Sequence, residues 1–337
     1  MVFALGRRNR ISKREVGTVS QEHTVEGNDA LILENTKIKV TVLPKIGAKI
    51  YEFLDKRTGK DLLFHHPRVE VRPPVFGANV DNWWTGGIDD AFPTGQPASV
   101  NGEEIPFLGE VWSMPWKVEL LSPNSIKLSR MGVITPFLME KTLTLEPVSN
   151  YLQVDYSVTN IGTTSFPYIW GIHPAFPIST DTRLHVPAEQ CWYVDGTGPI
   201  GTSAEFKKGE KYQQWPIKSL TEISSQDPLS WEYYYLANLK DGWLAVTDHI
   251  SDTGFAITFD KTVFPNIHIW MVNGGWRGIR TIAVEPWTAM PAGLDHAITA
   301  GTARQLQVGQ KISTQVKMIA FVPTTQINGF TENGEVK

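Results

Sequence analysis

The feature that most constrains this chain is an alternation of apolar and polar residues with period two. It recurs in short runs that end at Gly, Pro, Asn or Asp. KIKVTVLP (37–44) sets Ile38, Val40 and Val42 against Lys39 and Thr41 and stops at Pro44. LQVDYSVTN (152–160) sets Leu152, Val154, Tyr156 and Val158 on one side before an Asn-Ile-Gly turn. FAITFD (255–260), NIHIWMV (266–272) and STQVKMIAFVP (313–323) read the same way. MEKTLTLEP (139–147) adds a polar member, Lys141, to a face otherwise made of Met139, Leu143 and Leu145. That lysine either makes the face partly polar or sends its amine out at a sheet edge. Apolar stripes at helical spacing are scarce, so helices should be short and few.

Such strands, with turn residues between them, indicate an all-β fold: a large antiparallel β-sandwich or barrel. The signal runs from about residue 30 to 323 without a Ser/Gly/Pro linker that would divide it. The expected organisation is an N-terminal arm over 1–25, one β domain over 26–323, and a polar tail over 324–337.

Composition removes several function classes. With 337 residues the chain can bury a full core without staples. Its single cysteine, Cys191, cannot form an internal disulfide, and no Cys-x-x-Cys pair offers a zinc site. Cys191 is expected to be a small buried residue. A formal charge of −4 argues against nucleic acid as a partner, because phosphate binding needs a basic face. The basic run over 7–14 is not followed by an apolar stretch of signal-peptide length, and no segment approaches the roughly 20 apolar residues of a membrane span. A cytoplasmic protein that does not enter membranes is expected.

Three segments carry candidate chemistry. In WGIHPAF (170–176), Pro174 holds His173 extended and contributes no N–H to a ladder. Alternation sends Trp170 and Ile172 to one face and Gly171 and His173 to the other, with Gly171 leaving space beside the imidazole. That suits a histidine pointing into a cleft; the alternative is a hydrogen-bonded interior histidine. In TIAVEPWTAMPAGLDHAI (281–298), Glu285 follows an apolar run and precedes a proline. Buried there, its carboxyl would be pushed toward the range useful for a base near neutral pH; exposed, it would be a turn glutamate. The third segment, VRPPVFGANVDNWWTGGIDDAFPTG (71–95), combines Trp83 and Trp84 with paired glycines and Asp89-Asp90. Flat rings that cover sugar C–H faces and carboxylates that accept hydroxyls are what a carbohydrate site uses. The acids lack calcium-loop spacing. His65 and His66 should face opposite ways, so no metal site is expected.

Several of these elements occur together in one family. ENTKIKVTVLPKIGAKIYEFLDKRTGKDLLF, WTGGIDDAFP, GEVWSMPW (109–116), WGIHPAF and EPWTAMPAGL follow one another in family order. On them the chain resembles the aldose 1-epimerase (galactose mutarotase-like) superfamily from about residue 30 to 323. The resemblance implies a mutarotase-like supersandwich with few short helices and a small-molecule carbohydrate as partner. It implies His173 as general acid and Glu285 as general base, with no cofactor. Leu108 stands where many members carry a second histidine, and Thr85 stands where sugar-phosphate relatives often place arginine. Arg72 and Asn79, from the same loop, are the candidate replacements for the missing donor. Further candidates for the sugar site are Trp84, Asp89, Trp112, Asp195 and Trp287. The competing readings are a carbohydrate-binding protein without catalysis, and a glycoside-cleaving or sugar-modifying enzyme that pairs Glu285 with Asp89 or Asp90.

Overall fold

A computed structural model describes residues 18–193, 212–223 and 229–337 of the protein. Two large antiparallel sheets stack face to face. The larger sheet runs, in spatial order, through Thr18–Val25, Asn28–Glu34, Ile38–Leu43, Lys49–Asp55, Ile88–Ala91, Gly171–Pro177, Arg280–Trp287, Asn266–Asn273, Ser230–Ala237, Gln190–Tyr193 and Gln213–Gln214. The second sheet is nine-stranded and has Lys311–Phe321, Tyr151–Asn160 and Phe137–Thr144 near its middle. Among the described residues the helices are three short segments, Val80–Trp83, Lys218–Thr221 and Leu294–Thr299. None is long and apolar enough to cross a membrane.

Alternation explains which side chains enter the space between the sheets. Phe137, Met139, Lys141 and Leu143 point inward from one strand, and Leu152, Val154, Tyr156 and Val158 from its neighbour. From the larger sheet the inward set is Trp170, Ile172, Phe176, Ile267, Ile269, Ile282, Val284, Tyr234 and Leu236. Cys191 is a buried member of this core.

Lys141 makes its face partly polar, and it does so at the centre of the molecule. Its strand lies between two others, and its amine sits 2.7 Å from Asp90 Oδ2, with both side chains buried. Tyr156 hydrogen-bonds to the same carboxylate. The neighbouring Asp89 points to the opposite face of the sheet, where Lys49 reaches it at 2.5 Å, also buried. Consecutive aspartates thus send one buried ion pair to each face.

Both ends of the expected domain extend further than the alternation suggested. Residues 18–25, assigned to an arm, form a strand paired with Asn28–Glu34. The hairpin closes over Glu26-Gly27, both with left-handed backbone (φ 47° and 80°), the conformation that matches strand twist at a two-residue turn. The polar segment 324–337 folds back on the second sheet, where Phe330 packs against Trp243 and Phe321.

Candidate active site

Five strands of the larger sheet place their outward residues side by side. Register pairs Gly171 with Trp287 and Ala175 with Ala283 across the His173 and Glu285 strands. The next strand pairs His268 with Glu285 and Trp270 with Ala283, and beyond it Tyr235 faces His268 and Tyr233 faces Trp270. On the other side Asp89 is the register partner of His173. Because neighbours share a face, all of these lie away from the inter-sheet core.

His173 and Glu285 meet directly. Nε2 of the imidazole lies 3.4 Å from Oε1 of the carboxylate, and Glu285 is 3% exposed. The second carboxylate oxygen, Oε2, accepts the Trp287 indole N–H at 2.9 Å. Burial pushes the Glu285 carboxyl above the ordinary range, while the neighbouring His173 and the Trp287 hydrogen bond oppose that rise. The Nδ1 atom of His173 is buried and has no hydrogen-bond partner among the described residues.

Trp287 is fixed on every side. A Cβ on Gly171 would sit 2.2 Å from its indole, and one on Gly95 would sit 2.6 Å from it. Gly171 therefore makes room for Trp287 rather than for the imidazole. The indole stacks on His268 with centroids 4.7 Å apart and planes 11° from parallel. His268 Nε2 donates to the Ala289 carbonyl at 3.0 Å, so its Nδ1 carries the lone pair, and the Tyr233 hydroxyl lies 3.5 Å from that atom. Complete burial drops the His268 pKa to about 3, so this imidazole is neutral. Tyr233 also shares hydrogen bonds with Tyr235 and Gln96.

The remaining expected residues separate by exposure. Trp84 is buried, with its ring centroid 5.9 Å from that of His173 in an edge-to-face arrangement, so it walls the site. Trp112 is buried with Leu108 and Trp287 in a satellite apolar cluster and offers no free face. Leu108 makes the position of the relatives' second histidine part of that wall. Asp89 is buried and held by Lys49, and Asp90 faces the inter-sheet core, so neither serves Glu285 as the second carboxylate of a glycosidase pair. Asn79 is exposed and accepts the Asp81 N–H as the cap of a four-residue helix. Arg72 is exposed, with its guanidinium 4.1 Å above the Trp83 ring. Asp195 lies outside the described residues.

His268, Tyr233, Tyr235 and Gln96 are absent from the sequence-based set. Alternation in NIHIWMV and EYYYLA shows which residues share a face within each strand, but not that these strands lie beside Glu285. Among the described residues no three His, Cys, Asp or Glu side chains are grouped to hold a metal ion. A separate hollow of about 560 Å³ opens between the second sheet and the C-terminal segment, lined by Arg183, His185, Trp215 and Trp243. It contains neither His173 nor Glu285.

Comparison with solved structures decides the architecture. A galactose mutarotase-like protein from Clostridium acetobutylicum superimposes with a TM-score of 0.66 at 14% identity, covering 92% of this chain and 100% of that one. The chain has the galactose mutarotase-like fold. A galactose mutarotase related enzyme from Lactobacillus acidophilus matches at 0.64 and 15% identity, covering 89% of this chain and 99% of the other. The mutarotase-like fold also matches a longer TPR-domain containing protein from Parabacteroides distasonis at 0.67 and 14% identity, covering 90% of this chain and 49% of that one. A family model described as a domain of unknown function (DUF5107) matches residues 17–105. That span holds the first strands of the larger sheet and Lys49, Trp84 and Asp89, but neither His173 nor Glu285.

Proposed function

We propose that the protein interconverts the anomers of an aldose by acid–base ring opening, with His173 as acid and Glu285 as base. The observation that carries this reading is the 3.4 Å approach of the His173 imidazole to a buried carboxylate. The two oxygens that must gain and lose protons in mutarotation are bonded to one carbon. An acid and a base for that reaction therefore have to stand side by side.

Glu285, ionised, takes the proton of the anomeric hydroxyl as its oxygen becomes the aldehyde carbonyl. Protonated His173 donates to the ring oxygen, which leaves C1 with the electron pair of the broken bond. Glu285 is then protonated and His173 neutral. After rotation about C1–C2, the ring hydroxyl attacks either face of the aldehyde, returns its proton to His173 and draws the Glu285 proton onto the new anomeric oxygen. Both side chains end as they began, so a turnover consumes nothing. The raised pKa of Glu285 strengthens it as a base, and groups of this kind contribute about a hundredfold to ten-thousandfold each. Trp287 keeps one carboxylate oxygen occupied, which turns Oε1 toward His173 and the substrate.

The test is NMR anomer exchange across a panel of aldoses. Acceleration above the buffer rate for at least one sugar supports the reading. Sugar binding with no acceleration for any member contradicts it and favours a carbohydrate-binding protein.

A further inference from the structure

A chain of ring contacts through Phe64 and Trp84 links His173 to a group of side chains that gathers positive charge and a hydrogen-bond donor with nothing to donate to. His66 Nδ1 accepts the backbone N–H of Arg68 at 3.2 Å, which puts the proton of the neutral ring on Nε2. The side chain is 8% exposed, and Nε2 has no partner among the described residues. A buried donor without an acceptor costs about 1–3 kcal/mol, so its persistence needs a reason. Burial, with Arg68 and Arg277, lowers the His66 pKa and so favours the uncharged ring that donates from Nε2.

Neither arginine has found an anion. Arg68 donates to the Arg277 carbonyl, and Arg277 donates to the Asp81 carbonyl and, at 3.0 Å, to the Asn82 side-chain oxygen. Among the described residues neither forms an ion pair, although guanidinium groups match carboxylates and phosphates bidentately. Arg277 sits in the Gly274–Gly278 turn between the His268 and Glu285 strands, with left-handed backbone (φ 49°) in a non-glycine residue. Strain of this kind concentrates at ligand sites.

The cluster adjoins the reaction centre through Trp84. Phe64, on the His66 segment, stacks on Trp84 at 5.7 Å, and Trp276, beside Arg277, reaches the same ring through Trp270. Trp84 in turn touches the imidazole of His173 edge-on.

We propose that His66, Arg68 and Arg277 receive an anionic substituent of the sugar, so that the aldose presented to His173 and Glu285 carries a carboxylate, a phosphate or a sulfate. This assigns a substrate class to the activity proposed above and rests on that reading. The buried His66 N–H and two exposed guanidiniums offer an anion three donor groups, and hydrogen bonds from guanidinium to an anion are charge-assisted.

The test compares matched probes on the intact protein: galactose against galacturonate, glucose against glucose 6-phosphate, and glucose against glucose 6-sulfate. Binding is measured by calorimetry and exchange by NMR, at low and high salt. The charged member of at least one pair should bind about tenfold or more tighter, and its advantage should shrink with salt. The pair with the advantage identifies the anion. Arg277→Gln, Arg68→Gln and His66→Phe, each checked for native circular dichroism, should each lower the charged-to-neutral ratio of kcat/KM. Equal binding of every charged and neutral pair overturns the anion site, even where exchange of neutral sugars is fast. A preference that survives in the Arg68→Gln/Arg277→Gln double variant also overturns it. A salt-sensitive preference lost in those variants, with no exchange of any sugar, upholds the anion site and removes the proposed activity instead.

Discussion

The two faces of the larger sheet are built from the same strands and have opposite contents. Trp170, Ile172, Ile282, Val284, Ile267 and Ile269 face the second sheet and are shut away from water. Their immediate neighbours Gly171, His173, Ala283, Glu285, His268 and Trp270 face the other way and assemble polar, titratable groups around one carboxylate. Asp89 and Asp90 repeat the division in two consecutive residues, each with its own buried lysine. The inner face carries stability in apolar area, whereas the outer face holds a carboxylate in an environment that disfavours its charge. Substitutions on the two faces should therefore separate, with inner changes moving stability and outer changes moving rate.

The largest effect is expected at Glu285. Glu285→Gln should slow anomer exchange by about a hundredfold to ten-thousandfold. Stability should behave differently. The folded-state pKa of this group is raised, so whatever it contributes is present at low pH and lost as pH rises through the folded value. At neutral pH the uncharged glutamine should leave Tm unchanged or higher. A large fall in Tm would place Glu285 among the stabilising residues and break the contrast.

Lys141→Ala should do the reverse. It strands the Asp90 carboxylate between the sheets, a change that costs about 3–5 kcal/mol. Denaturant unfolding should register that loss, while exchange per folded molecule stays near wild type. Lys141→Met with Asp90→Leu, which removes both charges, should recover most of the stability.

Trp287→Phe sharpens the comparison within the outer face. The indole N–H favours the ionised carboxylate, so its removal lets burial push the Glu285 pKa higher. Exchange that depends on ionised Glu285 rises with pH through that value. The acid limb of the pH–rate profile should move to higher pH by about half a unit to one unit. An unmoved limb would mean that the limb does not report Glu285.

Period-two alternation made the sheet architecture and the inner core legible in the sequence, because sheet-on-sheet packing leaves its mark within each strand. It also placed His173 correctly opposite Trp170 and Ile172. Pairing between distant strands leaves no such mark. Nothing in NIHIWMV says that His268 lies beside Glu285, and nothing in WTGGIDD says that Asp89 and Asp90 are already held by Lys49 and Lys141. Aromatic residues misled in one direction. Trp112 and Trp287 stood among the candidates for the sugar site and are packed away, one in an apolar wall and the other between two glycines and an imidazole. The hairpin at Glu26-Gly27 escaped notice because its first turn residue is not one of the usual Asn, Asp or Gly.

The claim beneath the functional account is that His173 and Glu285 act as one unit on one substrate carbon. A double-mutant cycle on anomer exchange, with His173→Gln, Glu285→Gln and the pair together, tests it most directly. Groups that act as a unit should give a double variant little slower than the worse single variant. Losses that multiply, or a wild-type protein that exchanges anomers no faster than buffer, would contradict it.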